Sequence, residues 1–178
     1  SLVIQDPRSS ISGLALVLWV KSVYGDRAES VWEQLAPKIL TVTKGWSESY
    51  GLFTDGEADM VLSYTTSPAY HIVAEGDLTK KAAIFPEGHY FMVELAAKIA
   101  STDNPELADA LLAFILADAF QNLIPPGNWS LPAALPVSDW PEAFQELPLP
   151  EKVLFYSEEE AADLRAETIE EWRRALSK

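Results

Sequence analysis

The sequence predicts an α/β protein, a mostly parallel sheet flanked by helices, with further helices closing the chain. Short runs rich in Val, Ile and Thr alternate with capped helical stretches through the first half, the rhythm of strand–helix–strand units. Each apparent strand runs into a turn of small hydroxyl residues and then a helix start. With 48% hydrophobic residues, six Trp, seven Phe and six Tyr, the 178 residues can bury the core of one domain, or of one domain with an extension.

The elements follow in order. "LVIQ" is a strand ended by "DP". Ser9 or Ser10 caps a helix over Gly13–Tyr24, which Gly25 stops. Asp26 is expected to cap a second helix, "RAESVWEQLA", ending near Pro37. "ILTVT" is a strand, "GWSESYGLF" a turn into a short helix, and "ADMVLSY" the next strand. "TTSPAYHIVAEG" reads as a turn and a short helix. "KAAIF" is expected as a strand, and "GHYFMVELAAKIA" as strand or helix. Asn-Pro-Glu opens a long helix with Leu107, Leu111, Phe114, Ile115 and Ile124 on its apolar positions. Prolines keep 125–150 irregular. Ser157 and Glu160 then form a capping box for a closing helix that begins acidic and ends basic, as its dipole prefers.

Composition narrows the function. Thirteen basic residues against twenty-seven acidic ones, a net charge of −14, cannot build a phosphate track, so nucleic acid is excluded as a partner. There is no cysteine, which removes disulfides, thiolate metal sites and Cys nucleophiles. The longest apolar runs, "GLALVLWV" and "LLAFIL", fall short of the roughly twenty residues that span a bilayer. The chain opens on a strand without a starting Met, and is expected to be a piece whose upstream sequence is missing.

No catalytic signature is present: no GxSxG, HExxH, GxxxxGK[ST] or GxGxxG. His71 and His89 lack a ligand-like spacing. No catalytic residue, metal or cofactor is therefore expected. What stands out are three strand-end turns, "QDPRSSISG", "TKGWSESYG" and "SYTTSPAYH". In open α/β sheets, ligands collect outside the carboxyl ends of the strands, where helix-start amides attract anions. Trp46, Tyr64 and Tyr70 would set aromatic faces beside those donors, and aromatic faces hold flat cationic rings well.

The segments "VIQDPRSS", "TKGWSESYGLF", "VLSYTTSPAYH", "EGHYFMVELAA", "AFQNLIPPGNW" and "EEWRRALS" resemble, in order and over essentially the whole chain, those of the periplasmic thiamine-binding proteins of bacterial ABC transporters. The resemblance implies a class II periplasmic-binding-protein-like fold, two α/β lobes closing on a ligand. It implies a periplasmic protein, without catalysis, that delivers thiamine, thiamine phosphate or thiamine diphosphate to an ABC permease. Residues 1–178 would form one ligand-binding lobe, compact over 2–81, plus returning C-terminal segments. The missing N-terminal lobe, or a second copy of the chain, would cover the rest. Carried over position by position, Ser10, Trp46, Tyr64, Thr65, Thr66 and Ser67 match ligand contacts, and Tyr70 and Trp129 match aromatics of the same cleft. Ile11 stands where a hydroxyl residue is found in the family, leaving only its amide to serve. The same fold also leaves open a receptor for ferric ion or another small anion, or a thiamine-processing enzyme.

Overall fold

The strand "LVIQ" forms as β1 (Leu2–Gln5) and lies at the centre of a three-stranded parallel sheet. Its neighbours are β2 (Ile39–Thr43) and β3 (Met60–Val61). Val3, Ile4 and Gln5 are buried, as befits a central strand covered on both faces. The computed structural model describes residues 1–177. The chain divides into two compact units, one of Ser1–Ser63, Phe85–Met92 and Pro150–Lys178, the other of Tyr64–Ile84 and Val93–Leu149. The lobe expected over 2–81 therefore has a different outline.

In the first unit, α1 (Ile11–Tyr24) starts at Ser10 and ends at Gly25, the expected stop, whose φ of 55° residues with a side chain rarely adopt. Asp26 does not cap the next helix. A single 3-10 turn, Gly25–Arg27, leads straight into α2 (Ala28–Leu35), so there is no separate start to cap. The sheet then gives α3 (Trp46–Thr54) between β2 and β3. The last helix, α9 (Glu158–Leu176), begins with the expected Ser157–Glu160 capping box and packs on α1 and α2. Ile4, Val17, Val20, Ala28, Trp32, Trp172 and Ala175 close the core between them. Lys21 of α1 is buried against α9, its ammonium 2.7 Å from both Glu167 and Glu171. A short parallel pair, β4 (His89–Tyr90) and β5 (Val153–Leu154), completes this unit.

The second unit has no strand among its described residues. It holds α4 (Ser67–Tyr70), α5 (Pro105–Ile115), α6 (Asp118–Gln121), α7 (Ile124–Asn128) and α8 (Glu142–Gln145). "KAAIF" and most of "GHYFMVELAAKIA" stay without regular structure, beyond the two residues of β4. A strand exists only where a neighbour supplies hydrogen bonds. Residues 81–84 and 93–98 make no backbone-to-backbone hydrogen bond among the described residues. The long helix from Pro105 is broken in two places. Buried Gln121 turns back to donate its side-chain amide to the Ile115 carbonyl at 2.7 Å, occupying an acceptor that a continuing helix would use. Ala69, Phe144 and Leu147 form the small core, with Trp129, Leu131 and Trp140 against it. No single helix among the described residues is long and apolar enough to cross a membrane.

Candidate functional site

Parallel pairing puts the carboxyl ends of β1 and β2 side by side, and with them two of the three predicted turns. The Asp6 amide donates to the Thr43 carbonyl at 2.9 Å, and the Ser9 hydroxyl donates to the Lys44 carbonyl at 2.8 Å. Ser10 caps α1, its hydroxyl accepting from the Gly13 amide at 3.4 Å and sharing a 2.8 Å hydrogen bond with Ser12. Gly13 is needed here for closeness. A Cβ on it would sit 2.5 Å from the Gln5 carbonyl oxygen, so only glycine lets the first turn of α1 rest on the strand end. Ile11 is 76% exposed in that first turn, where helix geometry gives its amide no carbonyl partner.

Beneath these turns lies a residue the sequence reading missed. Gln5, 0% exposed, accepts from the Ser12 hydroxyl at 2.7 Å. Its amide donates to the Leu62 carbonyl at 3.1 Å and to the Ser49 hydroxyl. Ser49 in turn donates to the Trp46 carbonyl at 2.9 Å. One buried amide thus ties the start of α1, the start of α3 and the end of β3 together. The available signal was a polar residue closing an apolar central strand. Trp46 is half-buried, its indole N–H donating to Ser63 at 2.9 Å and its ring stacked on Tyr50 at 4.5 Å. Asp6 is held below the usual carboxylate range, chiefly by hydrogen bonds from the Arg8 side chain.

The third turn belongs to the second unit. The Ser67 amide donates to the Tyr64 carbonyl at 3.0 Å, closing the turn at which α4 begins. Tyr64 is 45% and Tyr70 39% exposed, so both rings are available to a ligand. Thr65 and Ser67 are half-buried, but Thr66 is only 7% exposed, turned into the protein more than the sequence suggested. Tyr70 meets Trp129 edge-to-face at 5.1 Å, and Trp129 stacks on Phe144 at 6.4 Å. The structure thus groups Ser10, Ile11 and Trp46 in one unit, and Tyr64, Thr65, Thr66, Ser67, Tyr70 and Trp129 in the other.

Among the described residues, His71, Glu75 and Asp77 are close enough to share a metal ion. Their own bonds account for them. His71 Nδ1 and Glu75 Oε2 pair at 2.6 Å. The Asp77 carboxylate accepts from the Thr79 amide at 2.7 Å and the Lys80 ammonium at 3.1 Å. Thr79 foremost, then Lys80, hold it well below the usual carboxylate range. A cation there would have to displace Lys80. An open depression of about 500 Å³ along 97–108 contains none of the candidate residues.

The sequence profile of the bacterial extracellular solute-binding proteins matches residues 12–122. The chain belongs to that family. As a solute-binding protein it works outside the cytoplasm, and its α/β fold is that of periplasmic binding proteins. A solved structure named periplasmic thiamin binding protein superposes with a TM-score of 0.92 at 51% identity, covering 99% of this chain and 55% of that one. The thiamine-binding periplasmic protein of Escherichia coli (strain K12) is 51% identical over 177 residues, 99% of this chain and 54% of the relative. Its counterpart in Salmonella typhimurium is 50% identical over the same shares, and that of Brucella abortus 50% over 99% and 53%. The chain spans about half the length of these curated relatives.

Proposed function

We propose that this chain is part of the substrate-binding protein of a thiamine ABC importer, taking thiamine, thiamine phosphate or thiamine diphosphate in the periplasm and handing it to the permease. Identity of about half over nearly the whole chain, to relatives all named for thiamine, carries this reading. Tyr64, Tyr70, Trp46 and Trp129 offer faces for the pyrimidine and thiazolium rings. Ser10, the Ile11 amide, Thr65, Thr66 and Ser67 serve the hydroxyethyl or phosphate end. The ligand is cargo. No cofactor or metal takes part, and nothing is turned over.

The domain reading follows from the same proposal. The first unit is a ligand-binding lobe, and the second is the returning part of a lobe whose remainder lies in the other half of the full-length protein. Two observations support it. No residue of α5 is buried, and Leu107, Leu111 and Phe114 form an uncovered stripe along it. Val93, Leu95 and Ile99 are exposed on a segment without regular structure that pairs with no strand among the described residues. The missing lobe, rather than a second copy, would cover both.

Calorimetric titration of the two-lobed protein with thiamine, its monophosphate and its diphosphate tests the reading. Saturable 1:1 binding of at least one, with the ligand recovered intact, is expected. No binding of any of the three, or release of pyrimidine or phosphate, would overturn it.

A further inference from the structure

Trp129 has φ 54° and ψ 35°, the sole positive φ outside glycine among the described residues. It ends α7 at a position that glycine or asparagine usually fills. A bulky side chain in that conformation persists only where its surroundings over-determine it. The surroundings are visible. Phe144, 2% exposed, lies parallel to the Trp129 ring within 11°, and Tyr70 stands edge-on to the same ring at 86°. Tyr70 also meets the His71 ring at 5.2 Å and 78°. His71 is buried and paired with Glu75 inside a single widened helical turn, His71–Glu75. Such turns often mark functional sites.

We propose that Phe144 and His71 are positioning residues that hold Trp129 and Tyr70 at right angles as a preformed corner for a flat cationic ring. The proposal rests on the thiamine reading for the nature of the ring, but the corner itself is a property of the ligand-free chain. Phe144 sets the plane of Trp129 from behind. His71 fixes the edge of Tyr70. Neither need touch the ligand. Rings already fixed lose little freedom on binding, and affinity gains accordingly.

The test compares Phe144→Tyr with Phe144→Leu in the two-lobed protein. If Phe144 only fills space, leucine serves as well as tyrosine, which must also bury a hydroxyl. If its ring sets the plane of Trp129, tyrosine rescues and leucine does not. The near-ultraviolet circular dichroism lost in Trp129→Leu isolates the Trp129 signal. Without ligand, that signal should survive in Phe144→Tyr and collapse in Phe144→Leu. His71→Phe should keep it and His71→Gln weaken it, which preserves the comparison if Phe144→Leu does not fold. Equal signals in the leucine and tyrosine variants, or in the two His71 variants should they alone fold, would overturn the proposal.

Thiamine titration of the two-lobed protein is the second arm. Phe144→Leu should weaken binding between about two- and tenfold, the range of one aromatic pair. If the parent binds and Phe144→Leu binds equally well, the proposal falls. If the parent does not bind, the thiamine reading falls, and the ligand-free signals alone decide whether the corner is held as proposed.

Discussion

Replacing Gln5 by methionine should loosen the strand-end turns more than any exposed substitution nearby. The two side chains are similar in length, so the change removes hydrogen bonds with little change in volume. Three bonds vanish, to Ser12, Ser49 and the Leu62 carbonyl. Ser12 keeps Ser10, and Ser49 keeps the Trp46 carbonyl, so those two cost about 0.5–1.5 kcal/mol each. The Leu62 carbonyl loses its amide partner at a cost of about 1–3 kcal/mol. Methionine's apolar end offsets roughly 1 kcal/mol of this. The balance is a loss of about 1–5 kcal/mol. Urea unfolding followed by far-ultraviolet circular dichroism measures it as a shift in midpoint at constant slope. A double-mutant cycle with Ser49→Ala should show coupling above about 0.5 kcal/mol. A loss below about 0.5 kcal/mol, or strict additivity with Ser49→Ala, would refute the view that one buried amide holds the turns together.

Gly13→Ala should cost about 1–3 kcal/mol despite the better helix propensity of alanine, because the new methyl meets the backbone of Gln5 and Asp6. Thermal unfolding reads it directly. Removing the capping hydroxyl in Ser157→Ala should cost about 1 kcal/mol in α9, also seen in thermal unfolding. The ion pairs of Lys21 predict a pH profile. Glu167 is held below its ordinary 4.5 mainly by its hydrogen bond from Lys21, so its contribution is present above 4.5 and fades as the pH falls below it. Burial pushes Lys21 down, but hydrogen bonds to Glu167 and Glu171 outweigh it and leave Lys21 raised above 10.5. Its contribution is therefore intact below 10.5 and is lost as the pH rises past that value. Lys21→Met should destabilise the first unit at neutral pH and make both arms of a midpoint-against-pH plot shallower.

Local signals were legible wherever the chain makes its own structure. Ser10 and Gly25 delimit α1, Ser157 and Glu160 start α9, and "LVIQ" and "ILTVT" pair as parallel strands. What failed depends on partners distant in sequence. "KAAIF" has strand composition but no neighbouring strand among the described residues, and only Phe85 pairs its backbone, in the turn to Gly88 and with the His89 ring. The Pro105 helix has the right periodicity for one long element, yet the side chain of Gln121 caps it at Ile115. The site shows the same division. Turn residues such as Ser10 and Trp46 announce themselves by type and spacing. Gln5, Ser12 and Ser49 do not, because a buried amide joining three turns has no spacing to read. Phe144, fifteen residues from the Trp129 it supports, is legible only after folding.

On the proposed thiamine reading, aromatic faces rather than hydroxyls would supply most of the hold on the ligand. The dissociation constant of thiamine for the two-lobed protein carrying Tyr64→Ala or Tyr64→Phe tests it most directly. A cation over a ring contributes roughly 0.5–2 kcal/mol, and lost burial adds to it, so Tyr64→Ala should weaken binding about tenfold or more. Tyr64→Phe keeps the face and should stay close to the parent. Binding by Tyr64→Ala as tight as the parent's, or equal damage in Tyr64→Phe, would contradict the account.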